Sequence, residues 1–133
     1  MTTNSPEYSR KYYAKYKQTE FGKYSVKIKD MKRSAKFYYE PRNHDLTTEQ
    51  FINLINTYNC CMTCGSHDEL VPMLYNKLNY GGSITLSNVL SCCEKCRKDY
   101  YRRKVLTFNQ WYKSYKYFSQ DRYETILNHI TKG

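Results

Sequence analysis

Two cysteine pairs, Cys61-x-x-Cys64 and Cys93-x-x-Cys96, constrain this chain more than any other feature in it; 28 residues lie between them. Within each pair both sulfurs can reach one ion, and four thiolates complete the tetrahedral shell of zinc with no position left for water. Such a site is structural, and it can contribute on the order of 10 kcal/mol to the folding of a small domain. That contribution matters, because 133 residues make one domain, or a small domain with an arm, with little stability to spare. Cys60 and Cys92 stand beside the two pairs and offer a competing C-x-x-x-C register. Gly65 favours the inner set, since a glycine directly after Cys64 suits a tight knuckle whose amides point at sulfur. A disulfide framework and free buried cysteines are the other readings. The start Met-Thr-Thr-Asn-Ser-Pro lacks the apolar stretch of a secretory signal, so the expected compartment is the reducing cytoplasm, where metal outweighs disulfides.

Charge narrows the partner. The chain carries a formal +10, distributed unevenly: residues 1–43 hold 11 basic and 4 acidic side chains, residues 44–92 hold 1 and 4, and residues 93–133 hold 10 and 4. The cysteine-bearing middle is therefore acidic, between two basic flanks. A polyanion is the expected large partner, because neutralising phosphates releases counterions. An aromatic content of 17%, with 16 tyrosines, is too high for a disordered tail. The apolar runs are far too short for a membrane span.

Local patterns predict an α+β chain, mostly helical. Ser5-Pro6-Glu7 reads as a helix start, followed by Tyr8, Tyr12 and Tyr16 at helical spacing. Beyond an expected break at Gly22, a stripe of Tyr24, Ile28, Met31 and Ala35 continues until Pro41. We read residues 1–43 as a basic helical arm and 44–133 as a zinc-binding domain with C-terminal helices. The arm's stripe is narrow and tyrosine-rich, which suggests a surface laid along phosphates rather than a deep core; a solvated amphipathic helix is the plainer reading. Thr47 and Gln50 have capping-box spacing ahead of Phe51, Leu54, Ile55 and Tyr58, and Thr107 and Gln110 repeat it ahead of Trp111, Tyr112 and Tyr115. Ser119 can cap a last helix carrying Tyr123, Ile126, Leu127 and Ile130. Leu70 to Ser87, around Gly81-Gly82, reads as a pair of short strands or loops with a turn. Trp111 and its neighbours read as core.

The order of these parts, a capped helix, Cys61-x-x-Cys64-Gly65, the Gly81-Gly82 turn, the Asn88-Val89-Leu90 step and Cys93-x-x-Cys96, resembles the zinc-containing HNH endonucleases of the phage type. The resemblance implies a small zinc-stabilised ββα-metal core, treble-clef-like, and a viral or mobile-element origin. Members of that family carry Asp-His or His-His shortly before an apolar pair and a proline; the acid helps to hold magnesium and the histidine activates water. Here Asp68-Glu69-Leu70-Val71-Pro72 lies over that pattern, with Glu69 where the histidine belongs, while counting back from Gly81 lands on Met73 and Leu74. Asn88 matches the Asn that positions the base's loop, and Arg97 stands where a further metal ligand is usual.

A general base contributes about 10² to 10⁴ in rate, and lost metal ligands remove electrostatic help besides, so the expected hydrolysis is slight. The leading expectation is a DNA-binding protein on a degenerate HNH scaffold, with double-stranded DNA as its partner. Its phosphate contacts would come from Arg10, Lys11, Lys15, Lys27, Lys32, Arg33, Arg97, Lys98, Arg102, Arg103 and Lys104. The alternatives are an active endonuclease or nickase using Asp68, Glu69 or His67 with magnesium, and a zinc-based module that binds a protein of the nucleic-acid machinery. His67 is otherwise a solvent-exposed loop histidine, and His44 and His129 lie elsewhere.

Overall fold

A computed structural model describes residues 20–38 and 44–132. The expected helix start at Ser5, the tyrosines at 8, 12 and 16, and the stop at Pro41 lie outside these residues. The elements are α1 (Glu20–Tyr38), α2 (Thr48–Tyr58), β1 (Leu70–Leu74), two 3-10 turns (Leu78–Tyr80 and Leu86–Asn88), β2 (Val89–Cys93), α3 (Glu94–Arg102), α4 (Phe108–Lys113) and α5 (Gln120–Lys132). The class is α+β, mostly helical, with one two-stranded antiparallel sheet. No helix among the described residues is long and apolar enough to cross a membrane.

α1 runs through Gly22 without the expected break, and Gly22 itself is buried. Its stripe also goes deeper than its composition suggests: Tyr24, Ile28 and Ala35 belong to the main core, and the Tyr24 ring meets Phe51 of α2 edge-on at 5.2 Å. A small residue at 35 lets the helix backbone approach closely, and four-residue spacing is enough to seat one face. α2 begins with the full capping box: the Gln50 amide donates to Thr47 Oγ1 at 3.1 Å, and the Thr47 amide donates to Gln50 Oε1 at 3.0 Å. It ends at Asn59, whose φ of 58° is left-handed, and that turn delivers the chain directly to Cys61.

β1 and β2 pair from Leu70 with Cys93 to Leu74 with Val89, and all ten residues are buried. Only one expected strand lies in the 70–87 segment; its partner is Val89–Cys93, and the intervening stretch is loop and 3-10 turn. Pro72 is tolerated because each strand of a two-stranded sheet has a free edge for the missing N–H. The sheet therefore hands the chain straight from Cys93 into α3.

Aromatic rings from α3, α4 and α5 and the loops between them gather in one cluster. Tyr100, Phe108, Trp111, Tyr112, Tyr115, Phe118 and Tyr123 pack ring on ring, with Tyr100 to Trp111 at 4.9 Å and Trp111 to Tyr115 at 4.5 Å between centroids. Trp111 is a core residue, as its pattern suggested, and its Nε1 donates to Asp99 Oδ2 at 2.7 Å. α4 starts on the Thr107–Gln110 capping box. Ser119 opens α5, its Oγ accepting from the Arg122 amide at 3.4 Å, and Ile126 is fully buried. His129 Nε2 lies 2.9 Å from the Val89 carbonyl, and His44 Nδ1 accepts from the Ile84 amide at 2.9 Å. Both histidines thus serve the scaffold.

Candidate metal centre and basic surface

Cys61, Cys64, Cys93 and Cys96 converge, their sulfurs all within 4.8 Å of one another. Cys61 Sγ is 3.8 Å from Cys96 Sγ, and Cys64 Sγ is 3.7 Å from Cys93 Sγ. A tetrahedral ion with metal–sulfur bonds near 2.3 Å, as for zinc, requires edges of about 3.8 Å. The donor set and its spacing therefore fit such an ion. The first pair comes from the knuckle after α2, where the Cys61 amide donates to Ser66 O and the Gly65 amide to Cys61 O, each at 2.8 Å. The second pair comes from the start of α3, with Cys93 as its N-cap and Cys96 in its first turn. That placement sets both sulfurs of the second pair at the start of one helix.

The sulfurs have further partners. The Cys93 amide donates to Cys61 Sγ at 3.2 Å, Thr63 Oγ1 lies 3.1 Å from Cys61 Sγ, and the Tyr115 hydroxyl lies 3.2 Å from Cys96 Sγ. Hydrogen bonds from the thiols of Cys92 and then Cys96 pull the Cys61 pKa far below the ordinary cysteine value, whereas burial raises Cys64 to about 11. Cys60 and Cys92 stand outside the four-sulfur cluster, and no disulfide links any of the six. Burial first, then the neighbouring Cys61, pushes the fully buried Cys92 well above its usual range.

The candidate catalytic residues are not assembled. His67 and Asp68 are exposed on the loop before β1. Glu69 forms an ion pair with Lys23 at 2.6 Å and a longer one with Lys27 at 3.9 Å. Its hydrogen bond to Lys23 lowers the carboxyl below its usual range, the wrong direction for a base at neutral pH, which works best with a pKa near 7. Asn88 is engaged on three sides: Oδ1 accepts from the Asn76 amide at 2.8 Å, and Nδ2 donates to Asn76 O at 2.9 Å and Ser83 O at 2.8 Å. It therefore clamps the 76–88 loop.

The expected phosphate contacts divide. Arg10, Lys11 and Lys15 lie outside the described residues. Arg33 pairs with Asp30, Arg97 with Glu94 and Arg102 with Asp99, each one turn along its own helix. Lys98, Arg103 and Lys104 are exposed, and Lys32 is half-buried. A depression of about 670 Å³ between α1, β1 and α3 collects Lys27, Arg97 and Lys104 around a floor that includes Pro72, Leu74 and Tyr101. Tyr101 is fixed there by its hydroxyl, which accepts from the Leu74 amide at 2.9 Å, and burial raises its pKa to about 12.

Three contacts had no sequence signal. Lys77, the sole basic residue of the middle block, is buried; its Nζ donates to the carbonyls of Arg103 and of Leu106 (2.9 Å) and lies 4.3 Å from the Tyr100 ring centroid. Arg122, on α5, packs against Gly65 of the knuckle. Tyr115 reaches Cys96 from 19 residues away. Set against protein families, curated proteins and solved structures, the chain matches none.

Proposed function

We propose that this chain is a zinc-stabilised DNA-binding protein on an HNH-like ββα scaffold that has lost its hydrolytic residues and holds phosphates without cutting them. One observation carries the reading: four sulfurs within 4.8 Å of one another join the knuckle before β1 to the start of α3, while the positions resembling the family's base and loop asparagine are tied into Lys23 and the 76–88 loop. When bound, zinc supplies a cross-link between these two segments and no open coordination position. Cys61, Cys64, Cys93 and Cys96 would hold it, with the Cys93 amide and Tyr115 hydroxyl orienting the sulfurs. α3 and the residues just after it then present Lys98, Arg103 and Lys104 to phosphate oxygens, which set register and carry no base information.

The test combines metal analysis with a plasmid assay. The expected result is one zinc per chain, affinity for duplex DNA falling log-linearly with salt, and supercoiled plasmid left intact in magnesium or manganese. Purified protein without a transition metal, or an affinity unchanged between low and physiological salt, overturns the proposal. Plasmid cleavage that disappears in Glu69→Ala would establish the endonuclease reading instead.

A further inference from the structure

α3 carries cations on a second face, about a third of a turn from the Arg97 side. There Lys95, Lys98, Asp99 and Arg102 meet Tyr115, Lys116 and Tyr117 around a groove of about 580 Å³. Its single carboxylate is already committed, since Asp99 accepts from Trp111 Nε1 at 2.7 Å and from Arg102 Nη2 at 3.0 Å. Lys95, Lys98 and Lys116 have no carboxylate partner among the described residues. Uncompensated positive charge thus lines the groove, and an anion can approach it without displacing an existing ion pair.

The aromatic residue at the rim sets this groove apart from a plain phosphate track. Tyr117 is 50% exposed, among the few large side chains left open to solvent. It is nevertheless anchored: it meets Tyr115 edge-on at 5.5 Å, and Tyr115 packs on Trp111 at 4.5 Å and touches Cys96 Sγ through its hydroxyl. Lys116 Nζ lies 5.0 Å from the Tyr117 ring centroid. A supported, half-open ring amid lysines is the arrangement that stacks an unpaired base while cations follow the backbone; bases in a duplex are already stacked and cannot use it.

We propose that this groove binds a single nucleic-acid strand, with Lys95, Lys98 and Lys116 on successive phosphates and a base stacked on Tyr117. The inference rests on the nucleic-acid reading above and adds an unpaired strand to it. It is tested on the full, zinc-loaded chain by fluorescence anisotropy with labelled oligothymidylate and, separately, a labelled duplex of equal length. Tyr117→Ala is expected to weaken oligothymidylate binding roughly tenfold and leave duplex binding unchanged, with Tyr117→Trp restoring it. Lys98→Ala with Lys116→Ala should reduce the salt slope for the single strand by about 1.4, at roughly 0.7 per phosphate. If Tyr117→Ala binds oligothymidylate like the parent, or loses both ligands equally, the groove proposal fails, while duplex binding by the parent still supports the nucleic-acid reading. Failure of the parent to bind either ligand overturns both proposals. Zinc content of each variant shows that the fold is retained.

Discussion

The guanidinium of Arg122 occupies the space that a side chain on Gly65 would need, so the last helix closes over the cysteine knuckle through a position that only glycine fills. Gly65 also has a φ of 80°, in the left-handed region. Two costs therefore attach to Gly65→Ala. The backbone term is about 1–2 kcal/mol; the second is displacement of Arg122, whose flexible end can move. Four thiolates around a divalent ion leave a net charge of −2, so a cation packed on the knuckle also acts electrostatically. Gly65→Ala is expected to lower unfolding free energy by about 2 kcal/mol, and less in an Arg122→Ala background, where the collision is absent. Equal costs in both backgrounds would show that the contact carries no energy.

The Lys23–Glu69 ion pair predicts a specific acid sensitivity. Lys23 lowers the Glu69 carboxyl from 4.5, and Glu69 in turn raises Lys23, so the two shifts agree. A depressed carboxyl adds stability above pH 4.5 that is lost as pH falls through the lower folded value. Both side chains are close to half exposed, which limits the pair to about 1 kcal/mol or less. The difference in unfolding midpoint between the parent and Glu69→Gln should therefore shrink from pH 6 to pH 3. Acid loss of metal affects both proteins alike and cancels. A difference that grows towards low pH would contradict the pairing.

Lys77 should prove more important to stability than any exposed lysine. It joins the 3-10 turn before Gly81 to the segment just after α3 by donating to the carbonyls of Arg103 and Leu106. Burial lowers its pKa, the expected consequence of taking an ammonium out of water, and the carbonyls and the Tyr100 face compensate. Lys77→Met keeps the stem and removes the donors, so chemical denaturation should show a loss of roughly 1–3 kcal/mol. Lys98→Met, on the exposed face, should stay within about 0.5 kcal/mol.

Parts of this structure were legible in the sequence because their signals are local. The capping boxes at Thr47 and Thr107 each span four residues, and the two cysteine pairs carry ligand spacing in four residues each. The α1 stripe was underestimated because composition does not report depth: Ala35 is fully buried because of what packs on it, and nothing in its own neighbourhood announces that. Placing β2 depended on pairing across the 74–89 loop, a tertiary matter. At the centre, the four ligands could be read from spacing, whereas Arg122, Tyr115 and Lys77 reach their partners from distant elements and have no periodic signature. Glu69 was legible as a misfit at a family position, but its partner Lys23 was not, since helix packing brings them together.

The loop between the strands offers the sharpest test of how Asn88 is used. Its amide oxygen faces one backbone N–H and its amide nitrogen faces two backbone carbonyls, so the orientation of the group is fixed by the chain around it. The loop has little freedom to adjust, because a Cβ on Gly82 would overlap the Asn76 carbonyl and Gly81 holds a φ of 87°. Asn88→Ala removes three hydrogen bonds, for an expected loss of about 2–3 kcal/mol. Asn88→Asp should cost more despite its closer size, since it places a carboxylate oxygen against the carbonyls of Asn76 and Ser83 in place of a donor. If Asn88 acts only as this clamp, both variants retain one metal per chain, because the four sulfurs lie on the knuckle and the start of α3. Equilibrium denaturation at neutral pH orders the two variants, and an aspartate variant more stable than the alanine one would show that the amide does not hold the loop in this way.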